Sequence, residues 1–332
     1  MTPPVITFFN NKGGVGKTTL VYHLAWMLAD IGYRVVAADL DPQANLTAAF
    51  LDEEEVEQVW TSAEPRSIWS AIRPFVEDGE AIESLSLTST IEERLTLLPG
   101  DLAVARFEDD LSSQWRECLD GTRLRPFLVT GAFWTVIRSA AEQHRADVVL
   151  VDVGPSLGGI NRAALVASDH VVVPVAADLF SLQGLRNLGP TLRGWRDGWQ
   201  KRLGELDDRT RRSRPLPTGA MAPLGYIVLG HGVRLDRPVQ AYQRWIEKIP
   251  ENFHDAVLGE PGPTPMPDPY CLAQLKHYHS LLPLAQEARK PMFALKPADG
   301  AFGGHAQAAQ RVYDDFRDLA VSIVDRSATA AA

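Results

Sequence analysis

The chain has 332 residues, of which 45% are hydrophobic and 23% charged, with a formal net charge of −9 and an isoelectric point of about 5.4. This is the composition of a globular protein that can bury a sizeable core. A chain this acidic does not bind nucleic acid over its whole surface, so any contact with DNA requires a local basic patch, or such a patch doubled by dimerisation.

The cysteines and the N-terminus bear on where the protein works. Cys118 and Cys271 are far apart and not in a metal-binding spacing, which favours a reducing cytoplasm over a disulfide framework. The opening MTPPVITFFNN has neither the basic region nor the cleavage site of a secretion signal. No run of 18 apolar residues predicts a membrane span. We therefore expect a cytoplasmic protein that does not contact membranes.

The first predicted elements are a short strand, a glycine-rich turn and a helix. The strand is VITFF (5–9), an apolar run that leads directly into the turn. The helix follows in TTLVYHLAWMLADIG and ends near Gly32. One face of this helix is apolar, because hydrophobic side chains recur at helical spacing: Leu20, Val21, Leu24, Ala25 and Leu28.

Four later runs are predicted to be strands, because they are apolar without the polar alternation of half-exposed strands. They are RVVAADLD (34–41), DVVLVDVG (147–154), HVVVPVAA (170–177) and LGYIVLG (224–230). A last helix is predicted near residues 305–325, with an apolar face formed by Val312, Phe316, Leu319 and Ile323. Strands that alternate with helices indicate a three-layer α/β fold, in which helices flank a mainly parallel, twisted sheet.

Three stretches fit this alternation poorly. Residues 51–95 begin with an acidic run, residues 193–217 are rich in arginine, and residues 257–269 are rich in proline. We find no internal repeats, and we interpret all three stretches as elaborations on a single domain that spans residues 1–332.

The glycine-rich turn, NNKGGVGKTTL (10–20), has the residue types of a phosphate-binding loop. Its glycines allow backbone N–H groups to approach phosphate closely, and the start of the following helix adds its dipole. Lys17 is expected to reach the β- and γ-phosphates, and the Thr18 hydroxyl is expected to bind Mg²⁺.

Two positions of this loop depart from the standard pattern. Asn11 replaces the first glycine, and Lys12 adds a second lysine beside it. The segment KGGVGKTT resembles the deviant Walker A motif of the ParA/MinD family of P-loop ATPases. The resemblance implies that Lys12 is the family's signature lysine, which reaches across a dimer interface to the nucleotide of the partner subunit. Such a cation can neutralise charge on the transferring phosphoryl group. The implied ATP-binding residues are Asn11, Lys12, Gly13, Gly14, Val15, Gly16, Lys17, Thr18 and Thr19.

A second segment, AADLDPQANLT (37–47), is similar to the DxDPQxN motif of the same family. Asp39 and Asp41 end a predicted strand beside the phosphate loop, where carboxylates can hold Mg²⁺ or orient the attacking water. The resemblance favours Asp41 as the residue that orients the hydrolytic water. Asp41 can also cap the turn before Pro42, and the two roles are compatible.

A third segment, VVLVDVGPSLGGINRAAL (148–165), resembles the family's Walker B region and implies that Asp152 holds Mg²⁺ through water. Gly154 stands where the family usually has proline, and Asn161 and Ala163 stand where it usually has threonine and asparagine. These departures concern the sensing of the γ-phosphate, whereas nucleotide binding is still expected.

The resemblance continues through most of the chain apart from the three elaborations. VVVPVAADLFSLQGLRNL (171–188) and the C-terminal QEARKPMFALKPADGAFGGHAQA are both similar to family segments. The family's base-contacting loop corresponds to residues 230–234. The resemblance therefore implies an Mg²⁺-dependent ATPase that ATP joins into a homodimer.

Within this family, the chain looks most like the ParA/Soj-type partitioning ATPases, which bind DNA nonspecifically and respond to a ParB-like activator. The C-terminal segment RVYDDFRDLAVSIVDRSATAAA is acidic as often as basic, unlike the basic amphipathic helix with which MinD-like members bind membranes. Cys118 and Cys271 do not lie in the motifs that hold the iron–sulfur cluster of nitrogenase iron proteins. The chain has one phosphate loop, whereas arsenite-pump ATPases usually have two.

The arginine-rich stretch is the candidate DNA surface. Its basic residues are Arg193, Arg196, Lys201, Arg202, Arg209, Arg211, Arg212 and Arg214, with Trp195 and Trp199 between them. Such a patch could bind the phosphate backbone, or it could be a solvated helix and loop that nearby acidic residues partly neutralise. The alternative function is an ATP-switched dimer that recruits a protein partner, with residues 51–95 and 193–217 as partner surfaces. His277 and His279 lack the companions of a metal site and favour a structural or surface role.

Overall fold

The computed structural model describes residues 2–62, 66–77, 89–231, 240–262, 267–276, 278 and 281–330. In these ranges a single β-sheet runs through the molecule and helices cover both of its faces. None of the helices in the same ranges is both long enough and apolar enough to cross a membrane.

The sheet of the described chain has eight strands in the order β3-β4-β2-β5-β1-β6-β7-β8. All neighbouring strands are parallel except β3, which pairs antiparallel with β4 at one edge. The strands are β1 Val5–Phe8, β2 Val35–Asp39, β3 Ser89–Glu92, β4 Leu95–Leu98, β5 Val148–Asp152, β6 His170–Ala176, β7 Ala222–His231 and β8 Cys271–Lys276.

The helices vary from single turns to two that are 27 residues long. They are α1 Lys17–Asp30, α2 Asn45–Phe50, α3 Glu53–Thr61, α4 Ile68–Glu77, α5 Phe107–Glu117, α6 Arg125–Thr130, α7 Ala132–His144, α8 Gly159–Val166, α9 Leu179–Glu205, α10 Asp208–Ser213, α11 Gln240–Ile246, α12 Ile249–Phe253, α13 Leu281–Ala288 and α14 Gly304–Ala330. A single π-helical turn, His254–Leu258, follows α12.

Two hydrophobic cores lie on opposite faces of the sheet. Successive residues of a strand alternate between them: Val149 and Val151 belong to one core, and Val148 and Leu150 to the other. Helices α4 to α9 and α12 cover the first core, while α1, α2, α13 and α14 cover the second. This two-sided burial explains why the strands are apolar throughout.

The structure confirms the predicted fold class and the order of its main elements. All five predicted strands are present, with ends that differ by at most two residues from the sequence limits. The apolar face predicted for α1 is buried, as is the face of α14 formed by Val312, Phe316, Leu319 and Ile323. The last helix is longer than the predicted 305–325.

Sequence analysis missed three strands, all in the outer parts of the sheet. β3 and β4 lie in or beside the stretch 51–95, which was interpreted as an elaboration, yet β4 pairs directly with β2. β8 extends the other side of the sheet by pairing with β7. Polar residues interrupt these strands, whose sequences are STIE, LTLL and CLAQLK, so they lack the continuous apolar run by which the other strands were predicted.

The arginine-rich stretch 193–217 differs from the expected surface patch. Its first part, up to Glu205, is the second half of α9, which packs on the sheet. Trp199 is fully buried and stacks on Trp115, and Trp195 packs against Phe9. The tryptophans therefore belong to the core and do not interleave with cations on a surface.

Two of the cations in this stretch are also structural. Arg193 donates to the carbonyl oxygens of Ala256 and Val257, and Arg202 donates to that of Trp115 at 2.6 Å. The cations that remain exposed lie towards or beyond the end of α9: Lys201, Arg209, Arg211, Arg212 and Arg214.

Helix α9 approaches the π-helical turn closely at Gly189. A Cβ at this position would overlap the carbonyl group of Ala256, which is backbone and cannot move aside easily. Gly194, one and a half turns further along the same helix, has nothing within 4 Å of its hypothetical Cβ.

We expect Gly189→Ala to destabilise the protein by about 1–3 kcal/mol, because the added methyl group must displace the turn at Ala256. Gly194→Ala is the matched control and should raise stability by about 0.5–1 kcal/mol, since alanine favours the helix over glycine. Urea unfolding of the two variants measures both changes. Equal stabilisation by both substitutions would contradict the close packing at Gly189.

Candidate functional site

The loop between β1 and α1 has the geometry of a phosphate cradle. Gly14 and Gly16 adopt left-handed backbone angles, with φ of 72° and 88°, which residues with a Cβ adopt only at a cost. Gly16 is the N-cap residue of α1, so the first N–H groups of that helix have no helical partners. Free N–H groups at a helix N-terminus attract phosphate.

A cavity of about 1210 Å³ opens beside this loop. Eight of the nine predicted nucleotide-binding residues line it, from Lys12 to Thr19. Asn11 is not among the described residues that line the cavity. The Oδ1 atom of Asn11 is buried and has no hydrogen-bond partner in the described chain. It lies next to Gly184 of α9, because a Cβ built at Gly184 would be 3.1 Å from this oxygen.

Lys17 lies in the first turn of α1, with its side chain buried between the loop and two carboxylates. Its Nζ donates to the main-chain oxygen of Asn10 at 3.3 Å. Burial lowers the pKa of Lys17, and the nearby carboxylates of Asp152 and Asp41 oppose this shift. The structure thus places Lys17 beside Asp41 and Asp152, as the predicted site requires.

Asp152 ends β5 and is fully buried beneath the loop. Its Oδ2 accepts a hydrogen bond from the Thr18 hydroxyl at 2.6 Å, while its Oδ1 finds no partner among the described residues. Burial raises the pKa of Asp152, and so does the neighbouring carboxylate of Asp39.

A buried carboxylate oxygen without a partner is unfavourable unless another group satisfies it. Carboxylate and hydroxyl oxygens are the ligands that Mg²⁺ prefers. Thr18 lines the cavity and Asp152 does not, so the orphaned Oδ1 of Asp152 behind the Thr18 hydroxyl fits a magnesium ion that the carboxylate holds through water.

Asp39 has a structural role at the end of β2. Its Oδ2 accepts hydrogen bonds from the N–H and the hydroxyl of Thr47, both at 2.8 Å, and its Oδ1 accepts one from the Asp41 N–H at 3.2 Å. Burial raises the pKa of Asp39, although the bonds from Thr47 oppose the shift. Asp39 thus holds the turn that follows β2, and this turn carries Asp41 to the cavity.

Asp41 lines the cavity and faces a loop that we call the 153–158 loop, between β5 and α8. A Cβ at Gly154 would lie 3.1 Å from Asp41 Oδ1, so glycine leaves room for this carboxylate. Asn161 donates to the carbonyl oxygens of Gly154 and Ser156 at 2.7 and 2.6 Å. Two of the three departures from the family pattern therefore have a local explanation: Gly154 makes space for Asp41, and Asn161 ties the loop to α8. The third, Ala163, is buried in the core.

Lys12 lies at the rim of the cavity and is paired within its own subunit. Its Nζ is 2.5 Å from Asp178 Oδ2, and the two side chains are 31% and 37% exposed. Asp178 also caps α9, because its Oδ1 accepts the Ser181 N–H at 2.8 Å. Burial acts to raise the pKa of Asp178, but the hydrogen bonds from Lys12 and Ser181 outweigh it and the pKa is lowered. The Lys12 Nζ lies 6.0 Å from the centre of the exposed Phe180 ring.

The far half of the cavity is largely apolar and was not located by sequence analysis. Its walls come from α1, α2, β8, α13, α14 and the segments that follow β8 and α13. They include Tyr22, Ala48, Tyr278, Leu282, Ala285, Met292 and Phe316. The similarity of QEARKPMF to a family segment was the available signal, since Gln286, Arg289 and Lys290 of this segment also line the cavity. Residues 232–234 of the expected base-contacting loop, and His277 and His279, lie outside the described residues.

His23 joins α1 to this apolar half. Its Nδ1 lies 2.7 Å from the main-chain oxygen of Thr19, and its Nε2 lies 3.1 Å from the N–H of Met292. These partners fit a neutral ring that donates through Nδ1 and accepts through Nε2. Burial lowers the pKa of His23 to about 4, although the bond to Thr19 opposes the shift.

The match to a known domain covers more than half of the chain, since the model of an AAA domain matches residues 4–204. Among curated proteins, the chromosome-partitioning ATPase Soj of Thermus thermophilus is 33% identical over 243 residues, which are 69% of this chain and 82% of that protein. The sporulation initiation inhibitor protein Soj of Bacillus subtilis is 33% identical over 57% of this chain and 64% of its own length. Among the curated relatives the matched share ranges from 42% to 82% of their length, and for most it is below two thirds.

A solved structure shows the same fold. It is a plasmid partition protein from Borrelia burgdorferi bound to AMPPNP, with a TM-score of 0.59 and 18% identity, over 96% of this chain and 98% of that one. The phosphate loop, the parallel sheet and its flanking helices define a P-loop NTPase fold. The domain match and the Soj relatives go further, and the chain belongs to the ParA/MinD-type P-loop ATPases.

We expect His23 to make stability depend on pH between about 6.5 and 4. Its pKa is lower in the native protein than in the unfolded chain, so only the unfolded chain takes up this proton within that window. The contribution of the neutral ring is complete above pH 6.5 and is lost as the pH falls, by on the order of 3 kcal/mol in total. Urea unfolding between pH 7.5 and 4 measures the free energy of unfolding of the wild type and of His23→Gln, and the difference between the two isolates the contribution of His23. Parallel pH profiles for the two proteins would contradict this role of His23.

Proposed function

We propose that this protein is a ParA-like ATPase that ATP joins into a sandwich homodimer and that hydrolyses ATP to ADP and phosphate. The observation that carries the proposal is the position of Lys12 at the rim of the cavity, partly exposed and held by Asp178. Lys17 already lies between the loop and the carboxylates of the same subunit. A second cation at the rim is suited to act on the phosphates of a facing subunit, as an arginine finger does.

The roles of the other residues follow from their places around the cavity. Lys17 and the loop N–H groups would hold the phosphates, and Asp41 would orient the attacking water against the γ-phosphate. Thr18 and Asp152 would hold Mg²⁺, with Asp41 close by, and the ion would offset the negative charge of the phosphates. The apolar half of the cavity suits the flat face of an adenine base.

The exposed hydrophobic residues support dimerisation through the cavity face. In the described chain, four large apolar side chains are exposed in segments that directly follow the carboxyl ends of strands: Leu102, Leu157, Leu179 and Phe180. The exposed Trp60, near the end of α3, joins the first of these segments by donating to the carbonyl oxygen of Gly100. An exposed apolar surface around a ligand site is typical of an interaction face. A second copy of the chain would cover it and bring its own Lys12 to the nucleotide.

The cations near the end of α9 support nonspecific DNA binding. A helix of 27 residues is about 40 Å long, so α10 lies far from the phosphate loop, at the other end of α9. Arg209, Arg211, Arg212 and Arg214 are exposed there, and a dimer would present two such patches. Together with the names of the partitioning relatives, this supports a cytoplasmic role in plasmid or chromosome partitioning with a ParB-like activator.

One observation favours a second candidate, an ATP-switched dimer that recruits a protein partner without moving DNA. Acidic residues lie among the same cations: Glu205, Asp207 and Asp208 are exposed, and Asp208 lies 3.9 Å from Arg212. A surface of mixed charge suits a protein partner as well as a phosphate backbone. The chain as a whole is acidic, which weakens attraction to DNA.

Oligomeric state with ATP and Mg²⁺ tests the proposed switch. We expect the wild type to be monomeric without nucleotide and dimeric with ATP, because the phosphates recruit Lys12 from the facing subunit. Asp41→Ala should remain a dimer, since it binds ATP without hydrolysing it, whereas Lys12→Ala should remain a monomer. Light scattering coupled to gel filtration measures each state. A wild type whose mass ignores ATP would contradict the proposal.

DNA binding by the ATP-bound protein tests the surface at α10. We expect the double substitution Arg209→Ala and Arg211→Ala to weaken binding to linear DNA at least about tenfold at low salt. The slope of log affinity against log salt should fall by about two for each subunit. Arg311→Ala with Arg317→Ala, a pair on α14 that is also exposed, is the matched control. A wild-type dimer that ignores DNA would favour the protein-recruiting switch.

A further inference from the structure

Helix α5 holds the N-terminus of α8 through one carboxylate. Glu108, in the first turn of α5, accepts hydrogen bonds from the N–H groups of Gly159 and Ile160, the latter at 3.0 Å. These are the first two residues of α8, whose N–H groups have no partners inside their own helix. A carboxylate here also faces the positive end of the helix dipole, so the charge strengthens both bonds.

The glycines at the start of α8 are explained by this contact. A Cβ at Gly158 would lie 2.7 Å from Glu108 Oε1, and a Cβ at Gly159 would lie 3.1 Å from the same atom. Neither glycine has the positive φ that would by itself require glycine. The pair therefore serves to let the Glu108 carboxylate reach the backbone of α8.

The same face of α5 contacts α8 further along and then α9. Trp115 is seven residues from Glu108, which places both side chains on one side of the helix. Two guanidinium groups lie over the Trp115 ring, that of Arg162 from α8 at 4.5 Å and that of Arg202 from α9 at 4.0 Å from its centre. These cation–π contacts link α5 to both α8 and α9.

Helix α8 in turn controls the 153–158 loop. Asn161 of α8 bonds to two carbonyl oxygens of that loop, Gly154 of the loop packs against Asp41, and Pro155 lines the cavity. A shift of α8 would therefore move the loop relative to Asp41. Glu108 touches neither the cavity nor Asp41, so any effect it has on the reaction must pass through α8.

We propose that Glu108 is a positioning residue for ATP hydrolysis. By fixing the N-terminus of α8, its carboxylate holds the 153–158 loop in place beside Asp41. This rests on the proposed ATPase function and adds a residue that no motif of the family resemblance contains. The contact sets the geometry in which Asp41 meets the attacking water, and it does not contribute to the binding of ATP. Trp115 also links α5 to α9, and the exposed cations lie at the far end of α9.

The test compares Glu108→Gln with Asp109→Asn, which removes the same charge from an exposed neighbour on the same turn. Glutamine keeps the shape but offers one acceptor oxygen, and its NH₂ group opposes the second N–H. We expect kcat to fall about tenfold in Glu108→Gln, with KM within about twofold and the melting temperature nearly unchanged. Asp109→Asn should keep the wild-type kcat.

Amide hydrogen exchange provides a second readout that does not depend on turnover. Without nucleotide, residues 153–162 of Glu108→Gln should exchange at least about tenfold faster than in the wild type, while residues 10–18 should not change. If the wild type fails to hydrolyse ATP, the proposed function is wrong, and the exchange data still decide whether Glu108 fixes the loop.

Three results would overturn the role of Glu108. The first is a Glu108→Gln protein with wild-type kcat and wild-type exchange in residues 153–162. The second is a loss of kcat that is matched by losses in ATP affinity and melting temperature, which would indicate a general effect on folding. The third is an equal loss of kcat in Asp109→Asn, which would indicate an effect of net charge alone.

Discussion

Asp39 and Asp152 are register partners on the adjacent strands β2 and β5, so two carboxylates are buried side by side where the strands end. Burial and mutual repulsion raise the pKa of Asp152, and burial raises that of Asp39. The other residues of the site satisfy or offset these two buried carboxylates. Thr47 satisfies Asp39, Thr18 satisfies one oxygen of Asp152, and Lys17 supplies a buried cation nearby.

The different positions of the two lysines suit them to different roles. Lys17 contacts the loop and lies near the carboxylates of its own subunit, whereas Lys12 lies outside that cluster and pairs with Asp178. A partly exposed ion pair is worth little, on the order of 0–1 kcal/mol. The phosphates of a nucleotide bound to the facing subunit could therefore attract Lys12 away from Asp178 with little loss of free energy. This makes the ion pair suited to a switch.

Much of the fold and the centre of the site could be predicted from the sequence. The uninterrupted apolar runs at β1, β2, β5, β6 and β7 identify a parallel sheet, and the phosphate loop and the two acidic strand ends identify the cavity. The outer strands β3, β4 and β8 escaped detection because polar residues interrupt them: their sequences are STIE, LTLL and CLAQLK.

Contacts between distant residues that no motif assigns to the site could not be predicted. Lys12 meets Asp178 across 166 residues, and Glu108 meets Gly159 across 51. Such pairs depend on how helices pack on the sheet, which no local pattern records. The same limit explains the error over Trp199: beside arginines in sequence it resembled a DNA-binding surface, but in three dimensions it fills the core under α9.

The central claim is that Lys12 acts on the nucleotide of the facing subunit, and mixing two inactive variants tests it most directly. Lys12→Ala keeps its own Asp41, and Asp41→Ala keeps a Lys12 that it can supply in trans. The account predicts that each protein alone is inactive and that an equal mixture recovers ATP hydrolysis, because a mixed dimer contains one complete site, on the Lys12→Ala subunit. Random pairing would give about a quarter of the wild-type rate, and the preference of Asp41→Ala for its own ATP dimer lowers this figure. A mixture that stays as inactive as its components would contradict the account.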